Sequence, residues 1–175
     1  QMTLIDDSPT IEVDVHASSL TLLSEDGTYG FTLPDTNDYY QYGPLGDLNR
    51  TLVKTTIQAV INGVSLDRKS WPASFKDDSK VGHLIGGEEW SKYSSAILEV
   101  YPILQTLRDD LGVWLMLTES DIILNAMLHM LDKGIGCLSI HDCLVVPIQN
   151  VEDAKEAFHF AYRQKDMKPP KLSVK

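Results

Sequence analysis

Apolar and polar residues alternate through Ile11-Glu12-Val13-Asp14-Val15, the period of a half-buried β-strand. Leu20 to Leu23 either continues that strand or opens a short helix. Over residues 47–62 the period lengthens to that of a helix. Val53, Ile57, Val60 and Val64 share one face, Arg50, Lys54 and Gln58 line its flank, Asp47 is placed to cap the start, and Asn62-Gly63 ends it. A long helix is predicted from Gly87-Glu88-Glu89 to about Asp110, with a break before Pro102. Another is predicted from Thr118 to Lys133, with Ile122, Ala126, Met127, Met130 and Leu131 as its apolar stripe and Gly134 as its stop. Leu138 to Val146 reads as two short apolar strands joined at His141-Asp142, a hairpin over 136–146. Val151 to Gln164 reads as a helix capped by Asn150.

The intervening segments are rich in turn formers. Residues 27–46 read as a loop, residues 65–87 as the most mobile segment, and the basic tail 166–175, with Pro169-Pro170, as loosely held. The order of elements predicts an α+β fold, a small antiparallel sheet with helices packed on one face.

A chain of 175 residues with 43% hydrophobic content suits one domain, 1–175, with a real core. No apolar run approaches the roughly 20 residues of a membrane helix, and the start lacks the order of a signal peptide. Gln1-Met2 reads as a cut end, so the chain is expected to belong to a longer protein. Cys137 and Cys143 flank the His-Asp turn. Two reduced core thiols in a cytoplasmic protein are the favoured reading, and a disulfide is the alternative. Net charge is -10 and unevenly spread, because residues 1–49 hold nine acids and no Lys or Arg. Such a chain repels phosphates at long range, so a nucleic-acid role requires metal ions or a local basic groove.

Two carboxylates stand on strands rather than in loops, Asp14 inside β-patterned sequence and Asp142 at the hairpin tip. A carboxylate at a buried turn is costly unless a cation compensates it. If the two strands are neighbours, both acids meet at one end of the sheet, the donor set of a two-metal clamp for phosphoryl transfer. Arg50 and Lys54, one helical turn apart, suit the charge of a triphosphate.

In this order the segments resemble the three motifs of the A-family DNA polymerases and the related single-subunit phage-type RNA polymerases. Glu12-Val13-Asp14-Val15 is similar to the strand ending in a metal-binding Asp. Arg50, Lys54 and Asn62-Gly63 keep the spacing of the fingers-helix pattern R-x3-K-x7-Y-G, with Asn for Tyr. Ile140-His141-Asp142 is similar to the His-Asp hairpin, with Cys143 where Glu or Ser is usual. Asp38-Tyr39-Tyr40 and Thr118 to Ile123 add softer likenesses.

The resemblance spans roughly residues 11–147. It implies a palm-like sheet with a helical fingers-like insertion at about 36–110, and a nucleotidyltransferase that extends a nucleic-acid primer-template with nucleoside triphosphates in DNA replication or transcription. It implies two Mg²⁺ ions, or Mn²⁺ in their place, on Asp14 and Asp142, which with His141 would be the catalytic residues. Arg50, Lys54, Asn62 and Ser19 would contact the nucleotide. Ser19 stands where DNA polymerases of the family carry a bulky Glu, which implies that ribonucleotides are admitted. A membrane partner is not expected.

Two rival readings stand beside this one. A catalytically degenerate palm-like module would bind nucleic acid or protein without turnover, consistent with the acidity and with the Asn62 and Cys143 departures. An HD-type metal phosphohydrolase would use His141-Asp142 with His129, but needs the pair on a helix. Trp71, Trp90 and Trp114 read as packing residues, and Glu119 as either a third carboxylate or an ordinary first-turn acid.

Overall fold

In the computed structural model, which describes residues 4–5 and 7–175, the alternation at 11–15 belongs to an eight-residue strand, β2 (Ser8–Val15). Gln1-Met2, read as a cut end, lies outside the described residues. The chain divides into two compact units, one formed by Gln1–Phe31 with Trp114–Lys175 and the other by Thr32–Val113.

The first unit is built on an antiparallel sheet in the order β1-β2-β4-β3, with β1 at Leu4–Ile5, β3 at Leu138–Ile140 and β4 at Cys143–Pro147. A fifth strand, β5 (Leu172–Val174), pairs antiparallel with the end of β2, Val13 opposite Val174 and Val15 opposite Leu172. Every residue of β4 is buried, which explains its unbroken apolar run: it is the central strand, covered on both faces. β3 is an edge strand and is exposed throughout. Helix α1 (Ser18–Glu25) follows β2 through a sharp turn at Ala17, whose φ of 48° is left-handed. Helix α6 (Val151–Arg163) packs on β2 and β4 with Ala154, Ala157, Phe158 and Ala161 fully buried.

The α+β architecture is as the periodicity predicts, and several details differ. The segment 166–175 is not a loose tail: β5 adds to the sheet, and the His16 N–H donates to the Lys171 carbonyl at 2.9 Å. The helix expected from Thr118 begins at Leu111 and runs to Asp132 (α5). By length and composition it is apolar enough to cross a membrane, and a third of its most apolar window is buried. Starting the helix at Thr118 had cut that run short. Leu131, assigned to the buried stripe, is 66% exposed, because a helix apolar nearly all round has no single stripe to read. The Asn150 side chain caps no backbone N–H and instead donates to Asp153 at 3.2 Å. Cys137 and Cys143 are free thiols.

The second unit is helical, with α2 (Arg50–Ile61), α3 (Ala73–Asp77) and α4 (Trp90–Val100). Asn49 rather than Asp47 caps α2, its Oδ1 accepting from the N–H groups of Thr51 and Leu52 at 3.0 and 3.2 Å. The expected break before Pro102 separates α4 from a short 3-10 turn at Pro102–Gln105. Residues 65–87, predicted to be mobile, contribute several side chains to a packed aromatic cluster. Trp71 stands edge-on to Trp90 and Tyr93 at centroid separations of 5.2 and 5.1 Å, and Phe75 joins the cluster. The Trp90 indole donates to the Leu66 carbonyl at 3.0 Å and that of Trp71 to the Glu88 carbonyl at 2.8 Å. The segment has few apolar residues, but Leu66, Trp71, Phe75 and Val81 all point inward.

Candidate functional site

In the first unit the acids gather at one end of the sheet. Val13 and Val15 are buried and anchor β2, while Asp14 between them faces the other side and keeps 18% of its side chain exposed. Asp14 lies opposite Cys143 of β4. The two-residue loop His141-Asp142 joins β3 to β4 between the paired residues Ile140 and Cys143, and the Val15 N–H donates to the Asp142 carbonyl at 3.4 Å. His141 is exposed at the tip with φ of 52°, a left-handed backbone that His adopts more readily than branched residues do. The register thus places the hairpin acid one step from the residue opposite Asp14.

Glu119 of α5 completes the group. Ser18, buried in the first turn of α1, donates its hydroxyl to Glu119 Oε2 at 2.6 Å. Burial pushes the Glu119 carboxyl above its usual range; the Ser18 hydrogen bond opposes this, and the charges of Asp142 and Asp14 add to it while His141 counters. Tyr162 of α6, 1% exposed, lies close enough for its hydroxyl to be pushed up by burial and then by Glu119 and Asp142. The Cys143 thiol is likewise raised, by burial first and then by Glu12, with Asp14 and Asp142 contributing.

The cation facing these acids is Lys175. Its ammonium is ion-paired with Asp14 and held above the usual lysine range by that hydrogen bond, with Asp142 and Glu12 contributing. Among the described residues, no three His, Cys, Asp or Glu side chains are set to grip an ion between them. The donor set is nevertheless of the kind Mg²⁺ uses: hard carboxylate oxygens, few in number, with waters and phosphates to supply the rest.

In the second unit, Arg50 and Lys54 are exposed along one edge of α2, above the ring of buried Tyr40. Arg50 Cζ is 5.4 Å and Lys54 Nζ 5.9 Å from its centroid. Arg50 Nε also meets Asp38 Oδ2 at 2.5 Å. Asn62, at the other end of α2, donates its amide to the Gln58 carbonyl at 2.8 Å and abuts Gly112, where a Cβ would come within 3.0 Å of its Oδ1. A cavity of about 270 Å³ opens near that end, lined by Ile61, Val64, Leu66, Leu104 and Arg108 among others, and Asn62 is not part of its wall.

Ser19, singled out from the sequence, sits half-buried beside Ser18 in the first turn of α1, and the Ser18 hydroxyl reaches Glu119. Lys175 and Tyr162 were not anticipated. The signal for Lys175 was faint, a Leu-Ser-Val alternation before it. His129 lies on α5 and stacks on Phe160 with centroids 4.4 Å apart, whereas His141-Asp142 occupies a hairpin turn and not the helical placement an HD-type centre uses for that pair.

No protein-family model matches the chain, and no curated protein or solved structure matches it significantly. The likeness to polymerases therefore rests on the sequence motifs alone.

Proposed function

We propose that the chain is a palm-like core for metal-dependent nucleotidyl transfer. The observation that carries this reading is the pairing of β2 with β4, which sets Asp14 beside the His141-Asp142 hairpin. Asp14 and Asp142 would hold two Mg²⁺ ions, and Mn²⁺ would substitute. Bound there, such ions lower the pKa of an attacking hydroxyl and neutralise charge developing on phosphate oxygens. In the reaction a primer 3'-oxygen forms a bond to the α-phosphorus, the bond from that phosphorus to the bridging β-oxygen breaks, pyrophosphate leaves, and the hydroxyl proton passes to water. His141, exposed at the hairpin tip, is suited to positioning the primer end. Arg50 and Lys54 are suited to the charge of the triphosphate, and Asn62 stands where the family pattern borders the base. Following the same resemblance, Ser19, in place of a bulky Glu, would admit a ribose 2'-hydroxyl.

Calorimetric titration with Mn²⁺ tests the proposal. Binding to the wild-type chain should weaken at least tenfold in Asp142→Asn, and template-directed extension with nucleoside triphosphates should fall with it. Binding that is unchanged in Asp142→Asn would refute the reading.

A second reading, a palm-like module that binds without turnover, is favoured by one observation. Asp14 and Arg50, the groups expected to meet metal and phosphate, already carry counter-charges in Lys175 and Asp38. It predicts Mn²⁺ binding without extension of any primer.

A further inference from the structure

The ion pair between Lys175 and Asp14 is not an incidental surface contact. Strand β5 continues past Val174, because Lys175 exchanges both backbone hydrogen bonds with Glu12, its N–H donating at 3.0 Å and its carbonyl accepting at 3.1 Å. That pairing fixes Lys175 opposite Glu12, two residues from Asp14 and on the same side of the sheet. The stem of Lys175 therefore starts from a fixed ladder position, and its ammonium ends on Asp14. Two further carboxylates, Glu12 and Asp142, act on the same ammonium. Lysine supplies a compact point charge on a flexible stem, the kind of cation that an incoming metal ion can displace.

We propose that Lys175 is an internal counter-ion which occupies Asp14 in the resting chain, so that a divalent cation reaches Asp14 only by displacing it. β5 is then an autoinhibitory strap laid along the candidate metal site, and its grip is electrostatic. This inference rests on the reading of Asp14 and Asp142 as metal ligands. It goes further in holding that the chain itself competes for the site. Two consequences follow from the charges alone. Removing the ammonium should tighten metal binding, and added salt, which screens an ammonium that is 61% exposed, should narrow the difference.

The test is Mn²⁺ affinity, measured by the loss of the free-ion electron paramagnetic resonance signal. It compares wild type, Lys175→Gln, Lys175→Arg, Asp142→Asn, and Lys155→Gln as a control for removing a positive charge elsewhere. Lys175→Gln should bind about fivefold more tightly, roughly 1 kcal/mol at 1.4 kcal/mol per tenfold change, the size of a partly exposed ion pair. Lys175→Arg should bind no more tightly than wild type, Lys155→Gln should match it, and the gain in Lys175→Gln should shrink between 50 mM and 500 mM salt. Far-UV circular dichroism spectra of all variants should superimpose, and each melt should keep one cooperative transition. If Lys175→Gln binds no tighter than wild type while Asp142→Asn still binds more weakly, the counter-ion proposal is overturned and the metal site stands. If no variant shows Mn²⁺ binding that depends on Asp142, both are overturned.

Discussion

Replacing Ser18 with alanine isolates the contact that ties α1 to the acidic end of the sheet. Ser18 is 5% exposed, and its hydroxyl donates to Glu119 at 2.6 Å, a short bond of the charge-assisted kind. The cost of deleting it depends on whether the acceptor is ionised. Burial, with Asp142 and Asp14 behind it, raises Glu119 above its ordinary value of 4.5. The folded chain therefore holds that proton more tightly than the unfolded chain does. The group favours the native state fully below 4.5, and the advantage is lost as pH rises through the raised value. The Ser18 bond moderates this loss by favouring the carboxylate.

With Glu119 neutral, at pH 4, Ser18→Ala should cost roughly 1 kcal/mol, the worth of an ordinary hydrogen bond. With Glu119 ionised, at pH 8, it should cost roughly 2 kcal/mol, the worth of one to a charged group. Urea unfolding followed by far-UV circular dichroism at pH 4, 6 and 8 measures both figures. Repeating the series in a Glu119→Gln background removes the titration and should leave the cost of Ser18→Ala flat with pH. A pH-independent cost in the wild-type background, or the same slope in both backgrounds, would refute the coupling.

Further expectations are simpler. Trp90→Phe deletes the indole N–H that meets the buried Leu66 carbonyl and part of a fully packed ring, and should destabilise the chain by about 2–4 kcal/mol in the same urea assay. A loss below 1 kcal/mol would mean that the cluster is not a core. Asn49→Ala should lower stability by about 1 kcal/mol through loss of the α2 cap, whereas Asp47→Ala should stay within about 0.5 kcal/mol. The reverse ranking would restore Asp47 as the cap.

The fold was legible wherever one face of an element is buried and the other is not. β2 shows this at Val13 and Val15, and α2 at Val53, Ile57 and Val60. The pattern failed where burial is two-sided or absent. α5 is apolar nearly all round, so its start was misplaced and Leu131 was assigned inward, although Ile122, Ala126 and Met130 of the expected stripe are buried. β5 has three residues, too few to show a period, and only pairing with β2 makes it a strand. The reach of Ser18 to Glu119 depends on the phase of α1, which follows the left-handed Ala17 and which no propensity foretells. The acids were each visible in sequence as oddities, Asp14 in a strand and Asp142 at a turn. What brings Glu119 and Lys175 to them is long-range pairing: 101 residues separate Ser18 from Glu119, and 161 separate Asp14 from Lys175.

That gathering argues against a purely structural role for the sheet end. Strand β2, the β3–β4 hairpin and helix α5 each deliver a carboxylate to one place, where Glu119, the Tyr162 hydroxyl and the Cys143 thiol are all pushed upward, by burial first and by the neighbouring acids in addition. For Glu119, ionised in the unfolded chain at neutral pH, the raised value means that burial and the neighbouring acids disfavour its carboxylate in the fold, which costs stability there; Tyr162 and Cys143 are neutral in both states at that pH and add no such cost. Lys175 offsets part of that charge at Asp14. A fold under no functional demand would relieve such repulsion by replacing any one of the acids, because Asp142 sits in a turn that Asn serves as well and Glu119 stands in a helix that Gln suits equally. On the proposed reading, the acids on three separate elements stay together because a divalent cation would meet them, and hard carboxylate oxygens suit such an ion better than they suit a second ammonium.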